Sequence, residues 1–204
     1  MKGIRISHAI WIIVILGVFG AAAYVLSRGF SARTEPNRIE AFIAPKLRNL
    51  AIPPNARDAK NPITDSPAVF SEALAHFADH CAVCHGSDGS GDTHIGKGLF
   101  PKPPDMREKE TQQLTDGEIY YIIENGVRYT GMPAFGESSD NATDEDTWKL
   151  VIFIRRIPKM TAEEVAQVDK LTPKSPTELR QEEDIQNFLQ GGDVPASPET
   201  HKHH

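Results

Sequence analysis

Cysteine is scarce in this sequence. Only two of the 204 residues are cysteines, Cys81 and Cys84, and a histidine follows directly as His85. A zinc ribbon is excluded because it needs a second cysteine pair. A thioredoxin-like redox pair would need a βαβ context, and its chemistry does not require a histidine at this position. The two cysteines therefore indicate a different kind of site.

Aromatic residues are also sparse, at 7% of the chain, against 15 glycines and 15 prolines. So many loop-forming residues suit a fold that wraps a cofactor rather than one built on long elements. Nucleic-acid binding would need a basic face with interleaved aromatic side chains. We therefore expect no nucleic-acid partner.

Charge is distributed unevenly along the chain, whose net charge is -6. Residues 1–65 hold 9 Lys and Arg against 4 Asp and Glu, residues 66–160 hold 9 against 15, and residues 161–204 hold 4 against 9. A basic arm thus precedes an acidic domain and an acidic extension. The acidic domain suits a partner with a basic docking patch, because complementary fields steer encounter. Solubility is the alternative explanation of these charges.

The segment Cys81-Ala82-Val83-Cys84-His85 has the Cys-x-x-Cys-His pattern of c-type haem attachment. Two thiols at this spacing reach the two vinyl groups of one porphyrin, and the next residue then stands beneath the ring. We therefore predict one covalently attached haem c, with thioethers from Cys81 and Cys84. His85 is predicted to be the proximal ligand of the haem iron, and no cysteine remains for a disulfide.

A second motif, Gly131-Met132-Pro133-Ala134-Phe135, places Met132 47 positions after His85. With these two motifs, the stretch from about Ser66 to Met160 resembles a class I monohaem cytochrome c domain of bacterial respiratory chains. The resemblance implies an all-α fold in which several helices wrap the haem, with the distal iron ligand supplied by the second motif. It also implies a periplasmic haem domain, because the family attaches haem outside the cytoplasm.

The residues around Met132 support its role as distal ligand of the haem iron. Gly131 permits close approach of the backbone and Pro133 fixes φ, so the sulfur can be held toward the iron. The alternative is a core methionine that fills a gap, with Met106 or His94 as the ligand. With His and Met both bound the iron has no open position, which suits electron transfer.

An uncharged run of 18 residues, Ala9–Leu26, lies near the N-terminus. As a helix it would be roughly 27 Å long, enough to span the hydrocarbon core of a bilayer. We interpret residues 1–27 as a retained membrane anchor. A cleaved signal peptide with Ala21-Ala22-Ala23 as its cleavage site is the alternative.

Residues 28–65 form a predicted connector. Because Pro45 interrupts its helical pattern, we do not expect one continuous helix there. The patterned stretch is either a basic amphipathic segment on anionic lipid or a short helix packed on the haem domain. Ile52-Pro53-Pro54 and Asn61-Pro62 then predict an extended linker. The apolar residues of the pattern are Ile39, Phe42, Ile43, Leu47 and Leu50.

Capping signals predict the helices of the haem domain, residues 66–160. Ser66-Pro67 begins a helix that leads into Cys81, and Thr115 with Glu118 forms a capping box for a helix that ends at Asn125-Gly126. A further helix presents Trp148, Val151 and Ile152 on one face, and the resemblance implies that it crosses the first.

In the acidic extension, residues 161–204, we predict two polar helices, Thr161–Leu171 and Thr177–Leu189, separated by Pro173 and Pro176. Residues 191–204 are predicted to be disordered. The terminal His201-Lys202-His203-His204 either binds a metal ion or is a solvated tail.

These predictions combine into one interpretation. The chain is expected to be a membrane-anchored monohaem c-type cytochrome, single-pass in the bacterial inner membrane with its haem domain in the periplasm. It would carry one electron at a time between redox proteins of a respiratory chain, with no small-molecule substrate, and would not be an enzyme. A cytochrome subunit of a multi-subunit dehydrogenase or oxidase is one alternative. A haem sensor or peroxidase with a displaceable Met132 is the other.

Overall fold

Helices form all the regular structure in the part of the chain that the computed structural model describes, residues 2–29, 31–136, 144–174 and 176–191. The all-α prediction is confirmed. The helices are α1 (Lys2–Arg28), α2 (Arg38–Ala51), α3 (Pro54–Arg57), α4 (Pro67–His80), α5 (Ala82–His85), α6 (His94–Lys97), α7 (Lys109–Gln112), α8 (Asp116–Asn125), α9 (Glu145–Arg156), α10 (Ala162–Leu171) and α11 (Pro176–Leu189). A 3₁₀ turn, Ile157–Lys159, follows α9.

Helix α4 begins where its sequence predicts. The Ser66 hydroxyl accepts a hydrogen bond from the backbone N–H of Val69 (3.2 Å), and Pro67 occupies the first turn. Burial of each large apolar side chain on its inner face stabilises the fold by about 1.5–3 kcal/mol. That face consists of Phe70, Ala73, Leu74, Phe77 and Ala78.

Helix α9 crosses α4, as expected. The contact is made through Phe153, which is fully buried and lies with its ring centroid 4.6 Å from that of Phe77 and 5.5 Å from that of Phe70. Trp148 and Val151, on the predicted face, are buried as well. The crossing fixes the end of α4, from which the cysteine motif continues.

Helix α8 has the predicted capping box. The backbone N–H of Glu118 donates to the Thr115 hydroxyl (3.1 Å), and the Glu118 carboxylate accepts from the backbone N–H of Thr115 (2.8 Å). The helix ends at Gly126, whose φ of 63° suits glycine. Tyr120 stacks on Trp148 of α9 with 4.2 Å between ring centroids. Helices α4, α8 and α9 therefore enclose one core.

Helix α1 contains the one candidate membrane span found among the described residues, Ile10–Ser27. This window is long and apolar enough to cross a bilayer, and none of it is buried within the protein. A signal sequence near the N-terminus has the same length and composition. Both interpretations of the segment therefore stand.

Helix α2 runs without interruption through Pro45, so the expectation of a broken helix was wrong. A proline removes one backbone hydrogen bond, but here both helix ends are fastened. At the start, the Asn37 side chain accepts from the backbone N–H groups of Ile39 and Glu40 (both 2.9 Å). At the end, the Asn49 carbonyl accepts from the Arg57 guanidinium (2.5 Å). The five predicted apolar residues of α2 are all exposed.

The end of the connector is not an extended linker, so that expectation was wrong as well. Ile52 is only 3% exposed, and the one-turn helix α3 packs against α8. The approach is so close that a Cβ at Gly117 would lie 1.9 Å from the Ala56 carbonyl oxygen. The Asn61 amide donates to the Trp148 carbonyl (2.9 Å). Residues 52–61 are thus packed on the helical core.

Both predicted C-terminal helices, α10 and α11, are present. Helix α10 packs on α4, and its Val168 is fully buried in the same core. Apolar side chains of α11, including Ile185 and Phe188, are exposed. The predictions for the chain end, including His201-Lys202-His203-His204, lie outside the described residues.

The burial of Val168 predicts that α10 stabilises the cytochrome-like core. Val168→Ala should lower the free energy of unfolding by about 2 kcal/mol, because two methyl groups are lost and a cavity is left. The measurement is urea unfolding of the full chain in detergent, followed by far-UV circular dichroism. Leu171→Ala, at a position 47% exposed, is the control and should change stability by less than about 0.5 kcal/mol. Equal effects would contradict a structural role for α10.

Candidate haem-binding site

A cavity of about 380 Å³ lies within the helical core. Its volume is within the range of small-molecule and cofactor sites, about 300–1,000 Å³. Most of its lining is apolar, from α8, α9 and the proline-rich loop before α7. The four predicted site residues all line it: Cys81, Cys84, His85 and Met132.

The cysteine motif folds as a tight helical continuation of α4. The backbone N–H of Cys81 donates to the Phe77 carbonyl (2.9 Å), and those of Cys84 and His85 donate to the Cys81 carbonyl (3.1 and 2.9 Å). Gly86, with φ of 79°, ends this turn. One short helical turn therefore presents both sulfur atoms and the imidazole to the same cavity.

The two cysteines are not activated as redox catalysts. Burial, with a smaller contribution from Cys84, raises the pKa of the Cys81 thiol to about 12. Burial also raises the pKa of Cys84. A catalytic Cys-x-x-Cys pair needs a lowered thiol pKa, because the thiolate is the nucleophile. The electrostatics of this site thus argue against a disulfide oxidoreductase.

His85 has the properties of a neutral metal ligand. His85 is 8% exposed, and burial lowers the pKa of its imidazole to about 4, so the ring carries no charge at neutral pH. Its Nδ1 is buried and has no hydrogen-bond partner among the described residues. A buried polar atom without a partner is costly, and a bound group at the site is one explanation of it.

The loop that carries Met132 is closed by its own backbone. The N–H of Val127 donates to the Met132 carbonyl (3.1 Å), and the N–H of Met132 donates to the Thr130 hydroxyl (3.1 Å). A Cβ at Gly126 would lie 2.5 Å from the Pro133 carbonyl carbon, so the backbone at the start of the loop is in contact with the backbone at its end. Met132 is half-buried and packs against the core.

The two alternative distal ligands differ in position. Met106 also lines the cavity and is 7% exposed, with its backbone N–H bonded to the Gly89 carbonyl (2.8 Å). His94 begins the one-turn helix α6, is exposed, and is not among the residues that line the cavity. The structure thus brings both methionines to the site but not His94.

Most of the residues that line the cavity lie in the part of the chain that matches a known family model. The model of a family described as cytochrome C oxidase, cbb3-type, subunit III matches residues 68–154. This match indicates a c-type cytochrome domain over residues 68–154. The match includes Cys81, Cys84, His85 and Met132, whereas α1–α3 and α10–α11 lie outside it. A comparison with curated proteins found no match to the chain.

Cytochromes of this kind bind haem c, so the match implies a haem c site within residues 68–154. The residues at the cavity fit that group. Two protonated thiols, a neutral imidazole and a thioether face one apolar space, and these donors are the ones that c-type haem uses.

Two basic residues at the cavity of the cytochrome domain were not anticipated. Arg48 of α2 and Lys102 of the proline-rich loop both line it. On a helical wheel of residues 38–51, Arg48 lies opposite the apolar residues centred on Ile39 and Leu50. The position of Arg48 on this wheel is the signal that the sequence offered. If the apolar face of α2 points away from the protein, the opposite face, which carries Arg48, points toward it.

Proposed function

We propose that this protein is a membrane-anchored monohaem cytochrome c that carries single electrons between redox proteins on the periplasmic side of a bacterial inner membrane. The observation that supports the proposal best is the convergence of Cys81, Cys84, His85 and Met132 on one apolar cavity of the cytochrome domain. When bound, haem c supplies an iron centre that takes up and releases one electron.

Each residue has a proposed role. Cys81 and Cys84 hold the haem through thioether bonds, His85 is the proximal iron ligand, and Met132 is the distal ligand. Thioether sulfur favours Fe(II) and raises the midpoint potential relative to a second histidine. The apolar lining keeps water away from the iron, which also disfavours the more highly charged Fe(III) state.

Saturated coordination makes the protein a carrier rather than a catalyst. With His85 and Met132 bound, no iron position is open to oxygen or peroxide. The partners are then redox proteins that meet the domain by complementary charge. The acidic character of residues 66–160 suits partners with a basic docking surface.

The anchor determines where these partners are met. As a membrane span, α1 would confine the cytochrome domain to one face of the bilayer and raise the local concentration of membrane-bound partners. Covalent haem attachment outside the cytoplasm, as in the family that the domain resembles, puts the domain on the periplasmic side.

A second candidate function is an electron-transfer subunit within a larger oxidase. The family that matches residues 68–154 is described as a subunit of a cytochrome C oxidase of the cbb3 type, and this match favours the candidate. Such a subunit would copurify in fixed ratio with a catalytic subunit from solubilised membranes. A carrier that acts alone would separate from its partners.

Covalent attachment is tested by extraction. Haem should remain on the polypeptide after denaturation and acid-organic extraction, because two thioethers hold it. Cys81→Ser and Cys84→Ser should each lose most of the holoprotein, whereas Ser87→Ala, two residues after the motif and half-buried, should not. The measurement is haem-stained gel electrophoresis beside an immunoblot. Haem that is extracted from the wild type would contradict the c-type assignment.

The distal ligand is tested by a pair of methionine variants. Met132→Ala should abolish the weak sulfur-to-iron absorption band of the oxidised protein, lower its midpoint potential and open the iron to carbon monoxide. Met106→Ala is the matched control, because Met106 lines the same cavity. It should change the potential through packing alone and leave the band in place.

Two results would change the assignment. If Met106→Ala loses the band and Met132→Ala keeps it, Met106 is the ligand. If the wild type has no such band and binds carbon monoxide readily, its iron has an open position. The sensor or peroxidase function would then replace the carrier function.

The anchor is tested by fractionation. The full chain should stay with membranes through high-salt and alkaline washes, because the uncharged run Ala9–Leu26 of α1 is embedded in lipid. The control is a chain in which a cleavable export signal replaces residues 1–28. It should be released in soluble form with an unchanged haem spectrum. A mature native chain that begins after Ala23 in the soluble periplasm would contradict a retained anchor.

A further inference from the structure

Arg48 extends from outside the cytochrome domain into its cavity. It lies 20 residues before the matched segment, on the last turn of α2. Residues 37–47 of the connector are exposed, whereas Arg48 and Asn49 are half-buried. Arg48 is therefore the connector side chain that lines the haem site.

The charges at the cavity are all of one sign. Among the described residues that line it, none is Asp or Glu, although the domain as a whole is acidic. Two residues bring a permanent positive charge, Arg48 and Lys102. Lys102 already forms an ion pair with Glu35 of the connector. Arg48 has no carboxylate within ion-pair distance among the described residues.

Arg48 is held in position by a series of contacts. Its Nε donates to the Asn49 side chain (3.2 Å), and the Asn49 carbonyl accepts from Arg57 (2.5 Å). Arg57 in turn pairs with Glu118 at the start of α8 (3.1 Å), and the side chain of Glu118 is 10% exposed. The end of α2 is thus fastened to the cytochrome domain, and the guanidinium is oriented by contacts that do not neutralise it.

A guanidinium in this position lacks the partner that its burial calls for. Burial lowers the pKa of Arg48, and the charge of Glu118 offsets that effect only in part. A cation removed from water is stabilised when an anion with matching hydrogen-bond geometry reaches it. Guanidinium matches a carboxylate with two parallel hydrogen bonds.

We propose that Arg48 binds a propionate carboxylate of the haem, so that the connector helix α2 completes the haem site. This inference rests on the proposed function, since it requires that haem occupies the cavity. Haem carries two carboxylates, and the cavity offers cations and no acidic side chain to meet them. Arg48 is a positioning and tuning residue, and the iron ligands are supplied by the domain itself.

The proposal predicts a specific redox effect. A cation beside the propionate partly cancels a negative charge near the iron and so favours Fe(II). Removal of that cation leaves the negative charge uncompensated and favours Fe(III). The other charged or titratable groups that face this region are Arg57, Glu118, Lys102, His80, Cys81, Cys84 and His85.

The experiment compares three variants of the full-length holoprotein at fixed pH and salt. Arg48→Gln should lower the midpoint potential, by on the order of tenfold in the equilibrium constant for reduction by a reference dye. It should also shift the infrared carboxylate band of the haem. Arg48→Lys should restore most of the potential, because it keeps the charge. Arg38→Gln removes the same charge from an exposed position on the same helix and should leave both readouts unchanged.

A measurement on the wild type covers the case in which Arg48→Gln does not mature. With arginine labelled by ¹⁵N, one guanidinium resonance should be protected from exchange and should move between the ferrous and ferric states, because it lies beside the haem. That resonance should be absent from Arg48→Lys. If no such resonance exists, the proposal is overturned.

The remaining outcomes separate two failures. If Arg48→Gln matches Arg38→Gln in potential and infrared spectrum, Arg48 is merely solvated at the cavity mouth and the inference fails, while the carrier function stands. If the wild type holds no covalent haem, the proposed function and this inference both fail.

Discussion

The crossing of α4 and α9 is the packing interaction on which the rest of the structure depends. Phe153 lies between Phe70 and Phe77, and this contact fixes the last turns of α4. The cysteine motif continues directly from those turns, so its direction follows from the crossing. Helices α8 and α10 pack on the same core from other sides. The site is therefore built on rigid elements, which a preorganised centre requires.

Much of the fold could be predicted from the sequence because its signals are local. Ser66 and Thr115 cap helices through hydrogen bonds to residues three positions farther along the chain. The spacing of Cys81, Cys84 and His85 is itself the pattern that predicts haem attachment. Long-range packing could not be predicted in this way. The path of α2 through Pro45 depends on fastening by Arg57, which in turn depends on Glu118, 61 residues farther along the chain. The burial of Val168 likewise depends on a partner helix distant in sequence.

The contrast between surface and cavity explains how an acidic protein can hold an anionic cofactor. Acidic side chains dominate residues 66–160 as a whole, but none lines the described cavity. The two permanent cations that line the described cavity are both linked to the connector. Lys102 forms an ion pair with Glu35 of the connector, and Arg48 belongs to the connector itself. The connector thus adds a second permanent positive charge, that of Arg48, to the one that Lys102 supplies from within residues 68–154. The net charge of residues 66–160 does not reveal this difference, because it sums the charges of surface and cavity residues together.

The closed loop around Met132 has a kinetic consequence. The backbone at Gly126 contacts the backbone at Pro133. The N–H of Val127 donates to the Met132 carbonyl, and the N–H of Met132 donates to the Thr130 hydroxyl. If Met132 is the distal ligand, as proposed, a loop so restrained would resist movement of its sulfur when the charge of the iron changes. The reorganisation energy of electron exchange would then be small. The rate at which this protein passes electrons would be limited by approach of its partners rather than by the rearrangement of its own ligands.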